Sequence, residues 1–170
     1  MIVAVAAQSS DERFNEVELT IRAKFVHINL IAQDWKNLVR FYEQVFGCRP
    51  VLPERHLSGQ WLEDATGVPG AKVEGVHLRL PGCGEQGPTL EIFQYNEQRE
   101  SHETAVNRPG FGHIAFAVDD VAAARDAVLA AGGGVVGEVV SIDVPVAGTV
   151  TFVYATDPEG NVVELQHWAL

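Results

Sequence analysis

Cysteine is nearly absent from this chain of 170 residues: Cys48 and Cys83 stand alone, with no CxxC or related spacing. That leaves out a thiolate metal cluster and a disulfide-built scaffold. The two read as reduced thiols of a cytosolic protein, with a single bridge as the alternative. Long apolar runs are missing too. No stretch approaches the ~18 residues of a membrane span. The apolar opening at 1–7 is too short for a secretory core and lacks a basic start, so a cytoplasmic location with no membrane partner is expected. Positive charge is scarce, with 12 Lys and Arg against 23 Asp and Glu and a formal net charge of -11. Such a surface repels a phosphate backbone, and nucleic acid is not expected as a partner.

What the chain does contain is a duplication. With 46% hydrophobic residues, 16 glycines and 8 prolines, it has material for compact modules of short elements joined by turns. Residues 1–23 read as an N-terminal extension and 24–168 as the folded domain. Within that domain, 24–95 form module 1, 96–110 a polar linker and 111–168 module 2. Module 1 begins with a β-branched run at 25–31. A helix follows, capped by Asp34, with Trp35, Leu38, Val39, Tyr42 and Phe46 at helical spacing and Gly47 ending it. Strands are expected near 49–53, 72–80 and 88–95, with a short helical insert near 58–66. Module 2 repeats the order: a strand at 112–118, a helix capped by Asp119 or Asp120, and strands near 135–142, 148–155 and 161–168. Asp157-Pro158-Glu159-Gly160-Asn161 supplies the last turn. The fold class is α+β, two βαβββ modules whose sheets enclose a cleft.

Alternation along each strand sorts the side chains. Val26, Ile28 and Leu30 oppose His27 and Asn29; Ile114, Phe116 and Val118 oppose His113. In the closing strands Leu90 and Ile92 oppose Glu91 and Phe93, while Val163 and Leu165 oppose Glu164. With the apolar sides against the helices, both histidines and both glutamates land on the faces away from them. Carboxylates on an inner sheet face require compensation. A divalent cation held by His27, Glu91, His113 and Glu164 supplies it. The longer spacing from His27 to Glu91 is taken up by the insert containing Gln60-Trp61-Leu62-Glu63. On the same face of module 1, His77 and Arg79 point inwards. Arg79 is a candidate to grip an anion, or a member of a cross-strand ion pair; His77 is a proton-transfer candidate, or a satisfied histidine. Phe93 and Tyr95 are candidates to line the pocket or to pack the core.

At these residues the sequence resembles the vicinal oxygen chelate superfamily of glyoxalase I, methylmalonyl-CoA epimerase, extradiol dioxygenases and the bleomycin and fosfomycin resistance proteins. The likeness runs from about Phe25 to Trp168. It is carried by the His27 strand, Phe41-Tyr42-Glu43-Gln44-Val45-Phe46-Gly47, Leu90-Glu91-Ile92, Gly112-His113-Ile114-Ala115-Phe116 and the 157–161 turn leading into Val163-Glu164-Leu165. The resemblance implies paired modules around one divalent ion (Zn, Ni, Co, Mn or Fe) on the four residues already chosen. It implies a homodimer, a small carbonyl substrate with two oxygens on the metal, and proton transfer by Glu164 or Glu91. Some epimerases carry Gln where this chain has Glu91, which leans towards glyoxalase chemistry.

The expected activity is that of a metal-dependent lyase or isomerase that moves a proton next to a carbonyl through a metal-stabilised enolate. An Fe(II) extradiol-type dioxygenase is the first alternative, although Glu91 would crowd its 2-His-1-carboxylate site. A non-catalytic drug-binding protein is the second, and the full set of metal residues disfavours it.

Overall fold

The computed structural model describes residues 23–101 and 103–169. Residues 1–22 of the expected extension, and His102, lie outside the described residues. The first unit comprises β1 (His27–Ile31), α1 (Trp35–Phe46), β2 (Arg49–Ser58), α2 (Gln60–Thr66), β3 (Lys72–Arg79) and β4 (Thr89–Tyr95). The second comprises β5 (Ile114–Ala117), α3 (Val121–Ala130), β6 (Gly134–Val135), β7 (Val140–Val144), β8 (Gly148–Thr156) and β9 (Val162–Ala169). The α+β class and the repeated order are as expected. The sheets are ordered β1-β4-β3-β2 and β5-β9-β8-β6, with β7 also on β8. In both, the first strand lies parallel to the last, and the remaining neighbours are antiparallel.

Local chemistry starts the helices where the sequence indicates. The Asp34 carboxylate accepts from the Asn37 amide at 3.0 Å, and Gly47 closes α1 at φ 68°. Of the two aspartates open to the second helix, Asp120 takes the cap, accepting from the Ala123 amide at 3.0 Å. Each such cap is worth about 1 kcal/mol.

Helices α1 and α3 and the helix-covered faces of both sheets share one core. Leu38, Tyr42, Leu78, Leu90 and Ile92 of the first unit meet Phe116, Val128, Val153, Val163 and Leu165 of the second. Phe46 stacks on Phe116 with centroids 4.0 Å apart and planes 9° from parallel. A polar staple crosses the same junction. Asp157 is only 2% exposed. Its Oδ1 accepts from the amides of Glu159 and Asn161 at 2.9 Å each, and its Oδ2 from Asn161 Nδ2 at 2.9 Å and the Tyr42 hydroxyl at 3.0 Å. Glu159 Oε1 accepts from the amides of Gln33 and Asp34 at 3.0 and 2.9 Å, so the second unit's turn also ties down the start of α1. Because the covered faces meet in this core, the opposite faces, which carry the histidines, turn away from it.

Several boundaries differ from expectation, among them the start of β1, at His27 rather than Phe25. β2 does not stop at Pro53 but continues to Ser58, crossing an irregularity between Val51 and Arg55. Proline is tolerated there because β2 is an edge strand and needs no donor on its open side. β5 begins at Ile114, leaving His113 just before it. The strand expected at 135–142 is two pieces, β6 and β7, with Gly137 in the gap. Among the described residues, no helix is long and apolar enough to cross a membrane.

Candidate metal centre

The two units place their histidine and glutamate by the same register. Asn29 of β1 is paired with Glu91 of β4, and Ala115 of β5 with Glu164 of β9. His27 stands two residues before Asn29, and His113 two residues before Ala115. Each histidine therefore projects on the side of its glutamate. His113 Nε2 lies 2.8 Å from Glu164 Oε2, and His27 Nε2 lies 3.6 Å from Glu91 Oε2. The carboxylate side chains are 16% and 12% exposed, the imidazoles 36% and 42%. Each couple is a half-sunk carboxylate beside a reachable ring.

The neighbours of the two couples differ. Glu91 Oε1 is 2.9 Å from His77 Nε2, and Glu91 Oε2 accepts from Asn29 Nδ2 at 2.7 Å. The other His77 nitrogen meets Thr89 Oγ1 at 3.0 Å, which fixes the ring from both ends. Burial pulls the His77 pKa below its ordinary value; Glu91 opposes the shift, while Arg55 and His27 add to it. Opposite Glu164, the register position held by His77 in module 1 is taken by Tyr154. Its ring lies 5.2 Å from that of His113.

The other candidates, and the remaining described histidines, fall as follows. Arg79 bends towards the turn after β3, pairing with Glu85 at 3.1 Å and donating to the carbonyls of Gly84 and Glu85. Phe93 sits edge-on to His77, with centroids 6.1 Å apart, and with Tyr95 borders a small second core of Leu62, Ala71 and Val73. Tyr95 also reaches a groove of about 930 Å³ under the linker, lined by Arg99, Arg108 and Phe111, which contains neither couple. His56 is an exposed partner of Glu54 and Glu74. His167 bonds the Val118 carbonyl. Trp61 is exposed. Asn29 and Tyr154 had no role assigned from sequence. Alternation already put Asn29 on the His27 face, but only the β1–β4 register sets it opposite Glu91.

As donors, two imidazoles and two carboxylates suit a borderline divalent ion. Within one chain they form two separate couples: among the described residues, no three His, Cys, Asp or Glu side chains are grouped to hold a metal. The reason is the shared core, which sends the two donor-bearing faces away from each other's helices. Each face carries one imidazole and one carboxylate, half of the donors that such an ion would use.

The family model for "Glyoxalase/Bleomycin resistance protein/Dioxygenase superfamily" matches residues 24–165. The chain belongs to that superfamily. Over 144 residues it is 27% identical to a "Probable lactoylglutathione lyase" of Vibrio parahaemolyticus, covering 84% of this chain and 88% of the relative. A "Lactoylglutathione lyase" of Haemophilus influenzae is 26% identical over 142 residues, covering 83% and 90%. A solved glyoxalase family protein from Bacillus cereus superposes with a TM-score of 0.70 at 21% identity, covering 92% of this chain and 99% of that one, which supports the fold.

Proposed function

We propose that the protein is a divalent-metal-dependent lyase or isomerase of the glyoxalase type, which moves a proton next to a carbonyl. Its site would form between two copies, with His27 and Glu91 of one and His113 and Glu164 of the other as ligands. One observation carries this reading: both units hold a histidine and a glutamate in the same register, on faces that one chain leaves apart. The lyase names of the relatives support the reaction class. Free thiols at Cys48 and Cys83 suit a cytoplasmic enzyme. Cys48 is buried, and burial followed by the nearby Glu43 raises its pKa to about 11, so it stays protonated and inert.

A bound divalent ion would polarise the substrate carbonyl and favour the negative charge that develops on its oxygen. The chain's own groups do the rest. Glu164 carries the proton on its carboxylate, and His113 at 2.8 Å steadies it between transfers. Glu91, gripped by Asn29 and His77 on separate oxygens, stays put. Phe93, beside His77, helps to exclude water from that end of the face.

Metal analysis combined with turnover of a hemithioacetal tests the proposal. The wild-type protein is expected to take up about one divalent ion per chain, and Glu164→Ala to abolish turnover. Metal uptake that survives simultaneous loss of His27 and His113 would reject it.

A further inference from the structure

Paired residues in adjacent strands project to the same side, so the register of module 1 arranges its donor-bearing face in rows. His77 and Glu91 form one row. The next, two residues along each strand and so about 7 Å away, is Arg55, Gly75 and Phe93. Beyond it, Leu57, Val73 and Tyr95 are covered by Leu62 of α2, which closes that end of the face. Arg55 therefore stands between a sealed end and the row that holds Glu91. Gly75 has no room for a side chain, because a Cβ would lie 2.0 Å from the Ile92 carbonyl and 2.5 Å from the Phe93 ring.

Arg55 is half-buried, and its guanidinium donates to the Pro53 carbonyl. Among the described residues no carboxylate oxygen lies within 4.0 Å of its nitrogens, whereas Arg79 pairs with Glu85 and Arg125 with Asp126. In a chain with 23 acidic residues to 12 basic ones, a partly desolvated arginine with no acid beside it among the described residues needs a reason. A planar guanidinium binds a carboxylate through two parallel hydrogen bonds, a match that a lysine does not reproduce.

We infer that Arg55 is the specificity-determining anchor for a carboxylate on the substrate distal to the metal-binding oxygens, so that the cleft selects a carbonyl compound with such a carboxylate over one without it. The inference rests on the metal-site reading above and adds to it the substrate's charge and the end of the cleft where that charge sits.

The test uses the full chain loaded with cobalt(II), whose visible spectrum reports chelation, and two probes. Both 2-oxoglutarate and 2-oxopentanoate present vicinal oxygens to the metal, but only the first carries a distal carboxylate. The wild-type protein is expected to bind 2-oxoglutarate about 10- to 100-fold more tightly, as one charge-assisted contact provides. Arg55→Ala should lower 2-oxoglutarate affinity to that of 2-oxopentanoate and leave 2-oxopentanoate unchanged, and Arg55→Lys should recover part of the difference. Equal binding of the two probes by wild-type protein, or equal weakening of both in Arg55→Ala, overturns the anchor while the metal site stands. A protein that takes up no cobalt overturns the metal reading, and the anchor with it.

Discussion

Module 1 and module 2 place the same two residues in the same register, yet surround them differently. Glu91 has both oxygens engaged, one by His77 and one by Asn29. Glu164 is met by His113 alone, and the position that Asn29 fills in module 1 is an exposed alanine, Ala115, in module 2. A duplicated carboxylate has thus been made into two unlike groups by its neighbours. The clamped one suits a permanent ligand and the loose one a base that must move, because a proton carrier has to change partners while a ligand must not.

The largest effect is expected from removing the two glutamates separately. Glu164→Gln should cut turnover by about 10²–10⁴-fold while the protein still takes up metal. Glu91→Gln should instead show first as lost metal, measured by elemental analysis after dialysis. The same outcome for both variants would break the distinction between the modules. Next come the clamps. Asn29→Ala and His77→Phe should each weaken metal binding by about 10- to 100-fold, the usual effect of removing a group that orients a ligand. Tyr154→Phe, at the matching place in module 2, should leave metal affinity unchanged. Competitive titration with a chelator measures all three. Smaller again is the effect of importing the clamp: Ala115→Asn, opposite Glu164, should lower turnover by about tenfold with metal content unaltered. A variant as fast as wild type would show that the freedom of Glu164 is not used.

The modules also differ in their last turns. That of module 1 is an exposed loop bearing Glu85, whereas that of module 2 carries the buried Asp157 that holds Tyr42 across the junction. Asp157→Ala strands the Tyr42 hydroxyl and two turn amides, and should cost about 2–3 kcal/mol in chemical denaturation. Burial, the largest influence, raises the Asp157 pKa above its ordinary 3.8, although its hydrogen bonds oppose the shift. The folded chain therefore holds this proton more tightly than the unfolded one. The associated stability is present below pH 3.8 and is lost as pH rises through the folded pKa. Asp157→Asn removes that component, so across this window its stability should rise more steeply with pH than that of the wild type. Parallel curves would contradict the sign.

Much of this was legible from residue order. Alternation put His27, Asn29, Glu91, His113 and Glu164 on the faces away from the helices, and Asp34 and Gly47 bounded α1 as expected. Arg55 was hidden because Pro53 looks like the end of a strand, and only the pairing with Gly75 shows that the edge strand runs on. The engagement of Arg79 by Glu85 depends on how the 80–88 turn folds back, which no periodicity records. The separation of the couples was also unreadable. It follows from Phe46 stacking on Phe116 and from Tyr42 reaching Asp157, contacts between distant segments that decide which faces are shared.

The proposed site asks for two chains, and complementation tests that directly. One chain would carry His27→Ala with Glu91→Ala, the other His113→Ala with Glu164→Ala. Each alone should hold no metal. Co-expressed with different tags and purified as the mixed pair, they should regain one divalent ion per pair, because one intact half from each chain then meets the other. A mixed pair that remains metal-free, while wild-type protein is loaded, would contradict a centre shared between two copies.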